Sequence, residues 1–207
     1  MQSRKASMRA IKFFGLGMLL LAGLVVVVLL VSKMTRPYTY LGSVFNPPQP
    51  APDFSTLDAS GKNFTLSAQK GKIVLLFFGY TDCPDECPTT MATFKQVKAG
   101  LGQNGEKVRF ILISIDPTRD TSAVLSAYVS QFDPAFTGIT GTESVLEPIW
   151  QRYGVYVDKT MSAAGNGYTI SHSTQVYLID TQGNLRLTYA YGTSAADILQ
   201  DIQHLLG

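Results

Sequence analysis

The chain has 207 residues, 45% of them hydrophobic and 15% charged, which suits one globular domain with a short appendage and excludes a disordered chain. Its formal charge of +2 hides a split: residues 1–36 hold six basic and no acidic side chains, leaving 11 basic and 15 acidic ones, net −4, beyond. In that remainder basic residues neither cluster nor interleave with aromatics, which excludes a nucleic-acid footprint.

Residues 13–31 (FFGLGMLLLAGLVVVVLLV) run without one polar side chain. As a helix rising about 1.5 Å per residue, such a run crosses a hydrocarbon core of roughly 30 Å. A cleaved signal peptide has a shorter apolar region, about 7–15 residues, followed by a small-x-small site. Here Ser32-Lys33-Met34-Thr35-Arg36 follows, so an uncleaved transmembrane anchor is expected over 13–31. Arg4, Lys5, Arg9 and Lys12 precede the run and only Lys33 and Arg36 follow it closely. The positive-inside rule then keeps residues 1–12 in the cytoplasm and exports the rest. The expected home is a bacterial cytoplasmic membrane, single-pass, with the domain on the periplasmic side.

Residues 32–52 hold Pro37, Pro47, Pro48, Pro50 and Pro52, and predict a semi-rigid spacer ahead of a domain over 53–207. Asp58-Ala59-Ser60-Gly61 predicts a turn between two short strands. Residues 73–78 (IVLLFF) and 108–115 (VRFILISI) predict strands buried on both faces. Met91, Phe94, Val97 and Leu101 recur at helical spacing between them, and helices are expected over 121–132 and 144–153. A Gly-, Ser- and Ala-rich loop is expected over 155–171, then strands over 172–179 and 185–189 joined through Asp180-Thr181-Gln182-Gly183. Ser194 caps a closing helix with the stripe Ile198, Ile202, Leu205 and Leu206. This order predicts an α/β domain with a mixed sheet, compatible with a thioredoxin fold.

The only two cysteines, Cys83 and Cys87, directly follow the first buried strand and open a helix. Pro84 suits a first helical position, and Pro88 is expected to distort the first turn. Four-residue spacing on one helix face puts the Cα atoms about 6 Å apart, so the pair can chelate a metal or close a disulfide. A helix N-terminus favours the reactive thiolate. A purely structural disulfide across so short a loop would constrain the unfolded chain little. Of the two histidines, His204 reads as a solvated residue of the last helix. His172 is the available third soft-metal ligand, though spacing alone leaves it open.

The segment Gly79-Tyr80-Thr81-Asp82-Cys83-Pro84-Asp85-Glu86-Cys87-Pro88 resembles the CxxxC copper motif of the Sco/SenC family. Asp116-Pro117-Thr118-Arg119-Asp120 resembles that family's second signature, and His172-Ser173-Thr174 leading into Tyr177-Leu178-Ile179-Asp180 its third. The resemblance runs from about residue 51 to the end. It implies a thioredoxin-like fold and copper held by Cys83, Cys87 and His172, as Cu(I) and, with a further ligand such as water, Asp85 or Asp116, as Cu(II). It further implies a copper chaperone for the CuA-bearing subunit of cytochrome c oxidase, meeting other copper chaperones or thiol–disulfide reductases. Asp82 stands where members commonly have His, and Ser171 where many have Asp. Asp116, Arg119 and Asp120 read either as a helix start or as residues shaping the site from outside the ligands. The competing function is a thiol–disulfide oxidoreductase acting on the oxidase subunit or another exported partner. A peroxidase is disfavoured, because Leu76 and Tyr80 stand where the peroxiredoxin pattern wants Pro and Thr.

Overall fold

The computed structural model describes residues 37–161 and 167–207, together with 18, 21–29, 31 and 32. The chain divides into two units, 1–39 and 40–207. In the first, the described residues up to 32 are helical, and those at 25–29 are at least half exposed. Among the described residues no helix is long and apolar enough to cross a membrane; the expected span over 13–31 lies in part outside them.

In chain order the strands of the second unit are β1 Ser43–Pro50, β2 Ser55–Leu57, β3 Asn63–Thr65, β4 Ile73–Gly79, β5 Val108–Ser114 and β6 Thr137–Ile139. They continue as β7 Val157–Met161, β8 Tyr168–His172, β9 Val176–Ile179 and β10 Asn184–Tyr189. The helices are α1 Glu86–Leu101, α2 Ser122–Phe132, α3 Glu143–Arg152 and α4 Ala195–Leu206.

The main sheet runs β1-β10-β9-β4-β5-β6. Strands β4, β5 and β6 are parallel, while β9, β10 and β1 join antiparallel. This is the mixed α/β sheet of a thioredoxin-like fold. Every residue of β4 is buried, as its unbroken apolar run requires of a central strand covered on both faces. Helices α1 and α4 pack against each other. Ser194 caps α4 as expected, accepting the Asp197 N–H at 3.1 Å, and Thr121, expected inside its helix, instead caps α2, accepting the Val124 N–H at 3.3 Å.

Register decides where the functional loops go. Ile73 pairs with Val108 and so on to Gly79 with Ser114, so β4 and β5 end side by side. The segments leaving them, with the cysteines and with Asp116 to Asp120, therefore meet beyond the carboxyl ends of parallel strands. Strand β9 runs the other way, with Val176 opposite Phe77, so the chain entering β9 from His172 arrives at the same edge.

Three expectations are corrected. The proline-rich segment is not spacer over 43–50: β1 pairs with β10 at the sheet edge. Proline is tolerated on an edge strand, and a register shift between Val44 and Gln49 takes Pro47 and Pro48 out of the ladder. The stretch 155–171 is not all loop, because β7 and β8 form a hairpin with Val157 opposite His172 and Met161 opposite Tyr168. His172 accordingly ends β8 rather than beginning the next strand, which starts at Val176. Backbone pairing, with Ile170 turned into the core, holds this hairpin where side-chain pattern alone is weak.

Candidate metal centre

Cys83 lies in the turn after β4, its N–H donating to the Tyr80 carbonyl at 3.4 Å. Helix α1 begins only at Glu86, and no side-chain oxygen caps it. The Cys83 sulfur takes that place, accepting the Cys87 N–H at 3.4 Å. The two cysteines thus straddle a helix start instead of sharing a helix face. Pro84 falls before the helix. Pro88 falls in its first turn, where the N–H has no intrahelical partner, so α1 runs unbroken from Glu86 to Leu101.

Cys87 is fully buried. Its sulfur accepts the Tyr80 N–H at 3.5 Å and faces His172 Nε2 at 3.9 Å. Gly79 makes this position possible through space rather than backbone freedom. A Cβ on Gly79 would stand 2.8 Å from the Cys87 sulfur and 2.8 Å from the Phe77 ring.

The His172 ring lies edge-on to Tyr80, with centroids 5.7 Å apart, and tilted against Phe77. Its Nδ1 is 2.8 Å from the Ser173 carbonyl oxygen. A carbonyl only accepts, so the proton sits on Nδ1 and the Nε2 lone pair is left toward the sulfurs. The two Sγ atoms and one imidazole nitrogen all lie within 4.8 Å of one another. Two thiols and one imidazole in that space form a soft, three-donor set that fits Cu(I).

A second group of residues locks both halves of this centre. Buried Asp120 accepts bonds from the Thr81 N–H at 3.1 Å, the Thr81 hydroxyl at 2.6 Å and the Ser114 hydroxyl at 2.6 Å. Burial raises its pKa, and these donors act against that rise. Arg119 Nη1 donates to the Asp82 carboxylate at 2.7 Å and to the Tyr168 carbonyl at 3.1 Å. Its Nε pairs with buried Asp116, which also accepts the Tyr168 hydroxyl at 2.6 Å. The guanidinium lies 4.0 Å from the centroid of the Tyr168 ring. Asp116, Arg119 and Asp120 therefore tie the cysteine loop and the histidine hairpin to the end of β5. Helix α2 starts after them, capped by Thr121, so the helix-start reading falls away.

A family model described as SCO1/SenC matches residues 46–207. The chain belongs to the SCO1/SenC family. A SCO2-like protein of Rickettsia felis is 31% identical over 149 residues, covering 72% of this chain and 73% of its own. The structure of Bradyrhizobium japonicum ScoI with copper bound is 34% identical, with a TM-score of 0.69, over 75% of this chain and 99% of that one. Solution structures of apo Sco1 from Thermus thermophilus are 32% identical, with a TM-score of 0.73, over 81% and 98% of the two chains.

In this SCO1/SenC chain the three sequence-nominated residues come together. His204 stays outside the cluster, edge-on to Tyr40. The two departures from the common pattern differ in consequence. Asp82 is recruited by Arg119, whereas Ser171 sits exposed in β8 opposite Asp158. Sequence reasoning missed Gly79, Thr81 and Tyr168. The glycine carried a faint signal, since it ends an apolar strand immediately before a cysteine motif.

The sulfurs are electrostatically unequal. The hydrogen bond from Cys87, with help from His172, holds the Cys83 thiol well below its ordinary value despite burial, while that same bond and burial push Cys87 up. A lowered pKa keeps the thiolate present at acidic pH, and only the thiolate alkylates. Brief iodoacetamide treatment near pH 6 is therefore expected to modify Cys83 first, as read by peptide mass mapping. Equal labelling, or Cys87 first, would contradict the asymmetry.

Proposed function

We propose that this SCO1/SenC protein is a copper chaperone anchored in a bacterial cytoplasmic membrane. It takes one copper ion on Cys83, Cys87 and His172 and delivers it to the CuA-bearing subunit of cytochrome c oxidase. The observation that carries the reading is the convergence of two thiols and a pre-oriented imidazole within 4.8 Å, a donor set suited to soft Cu(I). Copper bound to the ScoI relative accords with it. The apolar run over 13–31 and the basic residues before it support the anchor and its orientation.

The residues divide the work simply. Both cysteines bind as thiolates: Cys83 already favours that form, and Cys87 gives up its proton as copper arrives. The Nδ1 contact with the Ser173 carbonyl fixes the His172 ring and leaves Nε2 to offer to the metal. Arg119 and Asp120 keep the cysteine loop from drifting away from the histidine hairpin. Copper is cargo here, so a site with three donors and one partly exposed edge, at His172, suits handover to a partner's ligands.

The cysteines also make a gate. Oxidation to a disulfide removes two electrons and two protons and leaves no thiolate to bind metal. The reduced chain is expected to take up one Cu(I) per molecule under anaerobic conditions, and the oxidised chain almost none until a reductant restores it. Metal analysis after desalting reads both. Equal loading of the two forms would overturn the proposed site.

The second reading, thiol–disulfide exchange, is favoured by one observation: the low-pKa sulfur of Cys83 lies next to a potential resolving partner in Cys87. His172 separates the two readings.

A further inference from the structure

The Cys83 sulfur faces a carboxylate that the proposed transfer does not use. Glu86, the first residue of α1, brings Oε2 to 3.5 Å from Cys83 Sγ. The other nearby carboxylates are engaged. Asp116 and Asp82 hold Arg119, Asp120 holds Thr81 and Ser114, and Asp85 accepts from the Thr89 and Tyr191 hydroxyls. Among the described residues no cationic side chain pairs with Glu86.

We propose that Glu86 is the oxygen ligand that lets this site hold Cu(II) as well as Cu(I), and so sets its preference between the two. This rests on the copper reading above. Cu(I) is satisfied by two thiolates and an imidazole, whereas harder Cu(II) favours a tetragonal set with nitrogen and oxygen donors. The donor atoms of the triad number three, so the oxidised ion needs one more. A metal ion held on the Cys83 sulfur would lie within reach of this carboxylate oxygen, so sulfur and oxygen could share one ion. Glu86 is not within the mutual 4.8 Å of the triad, so it meets the metal from the Cys83 side by a rotation of its half-buried side chain. Asp85 and Asp116 are occupied by other partners.

The test uses the full chain in detergent, loaded anaerobically with Cu(I) or with Cu(II), as wild type, Glu86→Gln, Glu86→Asp and Asp85→Asn. Glu86→Gln should weaken Cu(II) binding by about tenfold, the lower end for removing a metal site's supporting group, and leave Cu(I) binding within about twofold. A tenfold loss confined to Cu(II) raises the potential of the bound couple by about 59 mV. The electron paramagnetic resonance spectrum of the Cu(II) form should change with it. Glu86→Asp keeps the charge but shortens the reach, and should behave like Gln. Asp85→Asn should match wild type. An unchanged Cu(II) spectrum and affinity in Glu86→Gln, equal losses for both ions, or a Glu86→Asp variant like wild type would each overturn the assignment while leaving the copper reading intact. A wild-type chain that binds neither ion would overturn the copper reading and this proposal together.

Discussion

Replacing Cys87 with alanine is expected to weaken Cu(I) binding by more than roughly 100-fold, because losing even a residue that merely supports a metal's ligands costs about 10–100-fold. Cys87 is the central donor. Its sulfur is fully buried, receives the Tyr80 N–H and sits 3.9 Å from the His172 nitrogen. Without it one thiolate and one imidazole remain, and the soft chelate is gone. The fold should survive, since the change removes one sulfur from a buried position beside Gly79, a cost of about 1 kcal/mol. Competition against a chromophoric Cu(I) chelator measures the first effect, and thermal unfolding of the copper-free chain the second. Cys83→Ala should lose binding equally. Wild-type affinity in either variant would move copper to another part of the molecule.

Elements that bury their own pattern were legible in the sequence. The apolar runs at 73–78 and 108–115 mark β4 and β5, which are covered on both faces, and the cap at Ser194 announces its helix chemically. Elements held chiefly by backbone pairing were not. Strand β1 is masked by prolines that only an edge position tolerates, β6 is three residues long, and β7 with β8 lies in a Gly- and Ser-rich stretch.

The site divides along the same line. Two cysteines in a chain of 207 nominate themselves, because residue type and spacing already state the chemistry. His172 could not be chosen on spacing alone, since it lies 85 residues from Cys87 and its approach depends on β9 running antiparallel to β4. The contacts of Arg119 with Asp82 and Tyr168 span 37 and 49 residues, and no local pattern encodes them. Recognising the Asp-Pro-Thr-Arg-Asp segment marked these residues, but their task emerged only from the fold.

His172→Ala is expected to part the two functions that the cysteines alone cannot distinguish. Imidazole is a direct ligand if the protein carries copper, and a bystander if it only exchanges disulfides. Exchange needs an accessible thiolate and a resolving thiol, which Cys83 and Cys87 provide by themselves. Removing the ring also removes its contacts with the Tyr80 and Phe77 rings, but a half-buried position limits the stability loss to about 1 kcal/mol. The variant should therefore form and reduce its disulfide as wild type does, as measured by gel shift in defined glutathione buffers. Its Cu(I) affinity should fall by at least about tenfold. In cells grown at limiting copper it should lose CuA-dependent oxidase activity alongside the cysteine variants, and added copper should recover part of that loss by mass action. His204→Ala, which alters a histidine outside the cluster, controls for a generic histidine effect and should leave copper binding and oxidase activity unchanged. If His172→Ala keeps full copper affinity and full oxidase activity while Cys83→Ala and Cys87→Ala lose activity, the chaperone reading falls and the reductase reading takes its place.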